Sequence, residues 1–384
     1  MSLNKVIKRT VILLTFVFLN VGVWAQTSNI YVHINQIQDQ NYPKLRAYVS
    51  VEDKKGDPVL SLVRGNFTPG IDGNELAGEM EIASFQYTEK PIAYGVILST
   101  QGLMAGEPIA RQKEALLDLI DYMRDYDTLS VYLMDEEPVT LFENLTKAEV
   151  DTELINNLES SDYGRKVFDS IVSVGRKLSS SEIERKAIIL ISDGRDQESR
   201  YDQETAQKIL NELGIPVFPL GLRVLGGQYL NVLDELAHAT GGSYRYNRRF
   251  ESVPDNTLQI QNLLMQSYVL EFKAKELPAD DQVHQMMVKV VDKEVESTDY
   301  KNFTAVKVPF PLWLKIVVAV IVVILLILLI ILSIIKRNKE RKKMGITKRK
   351  CPVCKKRMKD DWDDCPFCKY LEPKKKNKKK NKDD

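Results

Sequence analysis

The sequence predicts an α/β fold, a doubly wound and mostly parallel sheet flanked by β-sandwich-like strands, followed by one transmembrane helix and a small four-cysteine metal module. Three observations lead there. Between about Ile92 and Asn247, short apolar strand-like runs alternate with amphipathic helical stretches, the pattern of a layered α/β fold. The twenty residues from Ile316 to Ile335 include a single polar side chain, Ser333. All four cysteines, Cys351, Cys354, Cys365 and Cys368, lie beyond that run, and none precedes it.

At 384 residues the chain is long enough for two or three folded units. Its formal net charge of +1 conceals a division. Residues 336–384 carry 21 Lys or Arg against 8 Asp or Glu, a net of +13, which leaves −12 for residues 1–335.

The elements follow in order. Residues 1–25 have signal-peptide anatomy: Lys5, Lys8 and Arg9, an apolar run from Val11 to Val23, then Val23 and Ala25 flanking a cleavage position. Residues 26–90 form a β-rich module, with the strand Leu45 to Val51 and turn signals at Lys55-Gly56-Asp57-Pro58 and Ile71-Asp72-Gly73-Asn74. Residues 91–265 form the α/β domain. Its strands are Ala93 to Leu98, Leu129 to Met134, Ala187 to Ser192 and Val217 to Leu222, largely apolar and rich in Ile, Val and Leu, as expected of strands buried on both faces. Its helices, read from three- and four-residue spacing, are Glu114 to Met123, Val167 to Leu178, Thr205 to Leu213 and Leu230 to Ala237, with Gly214 and Gly241 as stops. Residues 266–310 form a second β-rich segment, with strands Ser267 to Ala274 and Gln285 to Val291. Neither flank alone makes a sandwich of about seven strands, so strands from both sides of the insert are expected to combine.

The segment 314–335 is the transmembrane helix, since twenty residues at about 1.5 Å each span about 30 Å. The basic juxtamembrane stretch 336–349 follows and places the tail in the cytoplasm by the positive-inside rule. Residues 350–370 hold Cys351-Pro-Val-Cys354 and, ten residues on, Cys365-Pro-Phe-Cys368. In a reducing compartment such pairs hold metal more often than they form disulfides, and four thiolates suit tetrahedral Zn²⁺. The paired knuckles resemble small zinc-ribbon domains, folded by the metal they bind. A redox dithiol and iron are the rival chemistries. The Lys-rich tail, 371–384, and the other basic clusters suit anionic inner-leaflet lipid. The membrane tether and the acidic run Asp360-Asp-Trp-Asp-Asp364 argue against nucleic acid.

In the α/β region, the run Ala187-Ile-Ile-Leu-Ile-Ser-Asp-Gly-Arg-Asp196, then Gly214-Ile-Pro-Val-Phe-Pro-Leu-Gly-Leu222, and then Leu233-Asp-Glu-Leu-Ala-His-Ala-Thr-Gly-Gly-Ser-Tyr244 resemble von Willebrand factor type A (VWA) domains over about two fifths of the chain. The resemblance implies a metal ion-dependent adhesion site, built from Asp-x-Ser-x-Ser after the first strand, a Thr from a later loop and an Asp after the fourth strand. In this sequence Ser99, Gln101 and Leu103 stand at the first three positions, Arg165 falls near the Thr position, and Asp193 alone matches. Leu103 offers no ligand atom, so the site reads as degenerate and Mg²⁺ or Ca²⁺ is not expected there. One reading is that Arg165 reaches Asp193 and replaces the cation with an ion pair; the other leaves both charges in solvent.

No catalytic constellation stands out, and the chain has three histidines, His33, His238 and His284. The expected function is a membrane-anchored binding or scaffolding protein of the cell envelope, in a bacterial inner membrane, presenting its VWA-like domain to a protein partner outside. A transmembrane sensor and a hydrolase of unknown type are the alternatives.

Overall fold

A computed structural model describes residues 29–76, 78–135, 137–161, 164–224, 226–274, 277–306, 312–343, 349–359 and 361–371. The predicted signal peptide and the Lys-rich run beyond Leu371 lie outside these residues. The described elements are β1 (Ile30–Gln38), β2 (Lys44–Asp53), β3 (Phe67–Ile71), β4 (Asn74–Glu75), β5 (Met80–Ser84), β6 (Ile92–Leu98), α1 (Glu107–Tyr122), β7 (Thr128–Leu133), β8 (Val139–Leu145), α2 (Thr152–Asn156), α3 (Val167–Ser179), β9 (Arg185–Ser192), α4 (Gln203–Glu212), β10 (Val217–Leu222), α5 (Leu230–Thr240), β11 (Arg245–Asn247), α6 (Val253–Met265), β12 (Tyr268–Lys273), β13 (Val283–Asp292), β14 (Val295–Thr304) and α7 (Leu312–Lys343). The chain divides into two compact units, Met1–Val308 and Pro309–Asp384.

The continuous apolar runs become the centre of a six-stranded sheet in the order β11-β10-β9-β6-β7-β8, parallel except for β8. Every residue of β6 and β10 is buried, which is why these strands carry no polar alternation. Helices cover both faces. Residues of α1 and α6 pack with Tyr94, Val96, Ile189 and Leu220, and residues of α3, α4 and α5 pack with Ala93, Ile97, Ile188 and Val217 on the other side. Counted within the sheet, this is the doubly wound order, with its topological switch between β6 and β9. Helix α1 starts at Glu107, seven residues before the predicted start, because Pro108 is tolerated in a first helical turn. Helix α6 escaped prediction because its inward positions include the polar Thr257 and Gln261.

The flanking strands form two four-stranded antiparallel sheets, β1-β2-β12-β5 and β14-β13-β3-β4, each drawing strands from before and after the α/β insert. Ile34, Val49, Leu270, Phe67, Met286, Val288 and Phe303 share one core between them, a sandwich. The turn signal at Asp72-Gly73 is a two-residue hairpin with both residues at positive φ (49° and 78°), the conformation of a type I′ turn.

The sandwich is joined to the amino ends of the parallel strands by buried polar contacts. Glu52 of β2 accepts from Ser243 Oγ at 2.6 Å and meets Arg245 Nη2 at 2.5 Å and His33 Nε2 at 3.1 Å. Burial pushes the Glu52 carboxyl up, but the His33 and Arg245 contacts outweigh it and bring it down to about 2. Lys301 Nζ of β14 donates to Thr240 O at 2.7 Å and Asn211 Oδ1 at 3.2 Å, closing the carboxyl end of α5. Gly241 follows at φ 79°, and a Cβ there would lie 2.3 Å from Ile34 O, so the Thr-Gly-Gly turn doubles as a docking surface for β1. Arg185, at the start of β9, is fully buried. Its Nη2 donates to Asn35 Oδ1 at 2.8 Å and its guanidinium lies 4.7 Å from the Tyr48 ring centre.

In the second unit, α7 contains, within Ile316–Arg341, an 18-residue window with a mean hydropathy of 3.8 and no burial against other residues. It is long and apolar enough to cross a membrane, and the helix continues through the basic residues to Lys343.

Candidate functional site

In a doubly wound sheet, ligands bind outside the carboxyl ends of the strands at the switch point. Here that point lies between the segment after β6 and the segment after β9, where Ser99, Gln101 and Asp193 come together. Ser99 N–H donates to Ile191 O at 3.0 Å, carrying the β6–β9 ladder one residue further, and Gln112 Nε2 donates to Ser99 O at 3.0 Å. Thr100 and Ser161 are held by a 2.9 Å hydroxyl contact and by a 2.6 Å bond from Ser161 N–H to Thr100 O. Gln101 is buried with its Nε2 3.5 Å from Asp193 Oδ1. Leu103 sits on the one-turn helix Gly102–Met104, partly exposed at the rim, while Met104 anchors that turn in the core.

Asp193 is buried, and its carboxylate is already occupied. Arg195 N–H donates to Oδ1 at 3.2 Å, Arg195 Nε donates to Oδ2 at 2.6 Å, and Arg195 Nη2 contacts the same oxygen. The backbone bond from residue i+2 is an Asx turn. It forms because Gly194 takes φ 76°, where a Cβ would lie 2.4 Å from Tyr229 O. The expected pairing of Arg165 with Asp193 is therefore corrected: the guanidinium on Asp193 belongs to Arg195. Arg165 borders the same loop through its backbone, its carbonyl accepting from Gln197 N–H at 2.7 Å. The alternative of two solvated charges fails for Asp193, whose side chain is 4% exposed, while Arg165 is half-buried.

The loop after Gly194 is pinned to the start of α3. Asp196 accepts from Ser199 Oγ at 2.6 Å and Phe168 N–H at 3.3 Å. Asp169 accepts from the N–H groups of Arg200 (2.9 Å) and Tyr201 (3.2 Å) and from Arg200 Nε at 3.1 Å. Burial pushes the Asp169 carboxyl up, but these donors more than offset it and hold it below the usual carboxylate range.

The donor set does not fit a divalent cation. Its single carboxylate is neutralised by Arg195, and the third motif position is the hydrocarbon Leu103. Arg195 stood in the motif quoted from the sequence, and the Asp-Gly-Arg spacing was the signal that could have revealed it.

The second candidate site is the cysteine module. Cys351 Sγ and Cys368 Sγ lie 3.4 Å apart and Cys354 Sγ and Cys365 Sγ 3.5 Å apart, with all four within 4.8 Å of one another. A disulfide needs about 2.05 Å, whereas a tetrahedron of sulfurs about 2.3 Å from a metal has edges of about 3.8 Å. The knuckles repeat each other at an offset of fourteen residues. Cys351 N–H donates to Lys356 O and Cys365 N–H to Tyr370 O; Lys355 N–H donates to Cys351 O and Lys369 N–H to Cys365 O. Lys355 and Lys369, one residue past each second cysteine, share positive φ values of 58° and 55°. Burial opposes ionisation of Cys351, yet the N–H groups of Cys354 and Val353 outweigh it and bring the thiol down to about 6. Cys368 receives an N–H from Tyr370, but burial and the three neighbouring sulfurs push it up to about 12. Four thiolates so close together need a cation between them, and the residues fit a metal ion.

No family model matches the sequence, and no curated protein matches it. Among solved structures the chain is similar to a von Willebrand factor type A protein from Catenulispora acidiphila, at 12% identity over 74% of this chain and 75% of that one, with a TM-score of 0.42. It is also similar to VWA2, the ArnB paralog from Sulfolobus acidocaldarius, at 15% identity over 73% and 74%, TM-score 0.37. BatB from Bacteroides thetaiotaomicron matches at 16% identity over 45% of this chain and 98% of that one, TM-score 0.35. The fold assignment rests on the strand order and register described above.

Proposed function

We propose that the chain is a membrane-anchored binding protein of the cell envelope. Its α/β domain engages a protein partner at the carboxyl end of the sheet without a metal ion. The observation that carries this reading is the Arg195 guanidinium on Asp193, at the place where a doubly wound fold presents its ligand site. A built-in cation satisfies the buried carboxylate permanently, so the surface above it, rimmed by Leu103, is preformed.

A binding role rather than catalysis is supported by the engagement of the three histidines. His33 lies in the Glu52 network, His238 faces Asp234 at 3.4 Å, and His284 is held between Asp72 at 2.7 Å and Asp280 at 3.2 Å. Each of them is held by a carboxylate. The apolar helix α7 is read as a single span of a bacterial inner membrane, the acidic body outside and the basic flank inside. On the inner side the cysteine module holds zinc and the basic residues meet anionic lipid.

Photo-crosslinking from Leu103 in native membranes tests the binding surface. The expected result is a discrete protein adduct that persists in EDTA and is absent when the crosslinker sits at the exposed Tyr87, before the amino end of β6. An adduct abolished by EDTA, or none above the Tyr87 control, contradicts the reading.

A further inference from the structure

The cysteine module leaves large apolar side chains in water. Its buried set is Cys351, Met358 and Cys365, while Val353, Phe367 and Leu371 are 61%, 56% and 72% exposed. Val353 and Phe367 occupy the same place in the two repeats, between the proline and the second cysteine of each knuckle. The repeat therefore presents an apolar tip twice, on a backbone fixed by the same turn.

Cations surround these tips. Lys355 and Lys369 follow the two knuckles directly, and Lys356 Nζ lies 4.5 Å from the centre of the Phe367 ring. Across residues 336–384 the net charge is +13. An apolar side chain beneath a lysine ammonium matches a surface that is anionic outside and apolar a few ångströms below, and that surface is a lipid leaflet. The chain can reach it. Helix α7 runs eight residues past Ile335, about 12 Å at the helical rise. The seven residues from Met344 to Lys350 reach at most about 25 Å when fully extended, enough to return to the head groups.

We propose that the cysteine module docks on the anionic inner leaflet through its knuckle tips, with Phe367 and Val353 entering the interface and Lys355, Lys356 and Lys369 at the head groups. This rests on the reading of the basic flank as cytoplasmic and lipid-facing. The metal then has a purpose beyond folding a small segment, because it holds both tips in rigid turns.

The test uses the full chain with Phe367→Trp in lipid nanodiscs of phosphatidylcholine alone or mixed with phosphatidylglycerol, subtracting the fluorescence of the unsubstituted chain. Docking predicts that the added tryptophan is quenched by brominated lipid and loses its quenching by aqueous iodide in the mixed discs alone, and that Val353→Asp reverses both changes. Metal content in each variant reports whether the module is still folded, and Val353→Trp repeats the measurement from the other knuckle. If the tryptophans stay open to iodide while the tail lysines are protected from acetylation in mixed discs, docking by the tips is wrong and the lipid-facing flank stands. If neither tryptophans nor lysines respond to phosphatidylglycerol, both are wrong.

Discussion

Arg195 turns back over two residues to set its guanidinium on the Asp193 carboxylate, Nε to Oδ2 at 2.6 Å, at the end of the strand that forms one side of the switch point. Removing one partner of a buried ion pair leaves the other charge uncompensated, which costs about 3 kcal/mol or more. Arg195→Met and Asp193→Asn should each lower stability on that scale or somewhat less. The double variant should be more stable than the sum of the two losses, as urea denaturation of all four proteins would show.

Glu52 sets a pH limit on the joint between sandwich and α/β domain. Its carboxyl is brought down from 4.5 to about 2 in the folded protein. The stabilisation it provides is therefore complete above the unfolded value of 4.5 and is lost as the pH falls through about 2. The difference corresponds to about 3 kcal/mol. Glu52→Gln should lower the neutral-pH melting temperature and flatten its fall in acid; a parallel shift at every pH would contradict the assignment.

Asn35 supplies the acceptor for the buried Arg185 guanidinium, while its own amide donates to Ser50 Oγ at 2.9 Å and Gly241 O at 2.8 Å. Asn35→Leu strands Arg185 without an oxygen partner and should destabilise by about 3 kcal/mol. The conservative Asn35→Asp keeps an acceptor and adds a compensating charge, so denaturation midpoints should separate the two variants clearly.

The sulfur geometry predicts one metal ion per chain. Cys354→Ser should lose the metal, and with it protection of the backbone bonds from Cys351 N–H to Lys356 O and from Cys365 N–H to Tyr370 O, as measured by hydrogen exchange. Retained metal in that variant would point to a different ligand set.

The strands at the centre of the sheet were legible because β6, β9 and β10 are buried on both faces and therefore read as unbroken apolar runs. The cysteine module was legible because its ligands are close in sequence. The joint was not. Glu52 and Arg245 are separated by 193 residues, and Asn35 and Arg185 by 150, so charged residues that read as surface are in fact interior. Edge strand β8 was missed because its apolar positions are interrupted by register shifts and Asn144 turns to φ 56°. Asp193 was legible from the strand end, but its partner was not: the guanidinium comes from Arg195 through a local Asx turn, not from Arg165 on the loop 28 residues earlier.

The most direct test of the account is calorimetric titration of the full chain in detergent with Mg²⁺ and Ca²⁺, alongside elemental analysis, for the wild type and Asp193→Asn. The expected result is one tightly held metal per chain, lost with the cysteines, and no saturable Mg²⁺ or Ca²⁺ heat that depends on Asp193. A saturable Mg²⁺ isotherm abolished by Asp193→Asn would show that the cation displaces Arg195, and recognition at the carboxyl end of the sheet would then be metal-dependent.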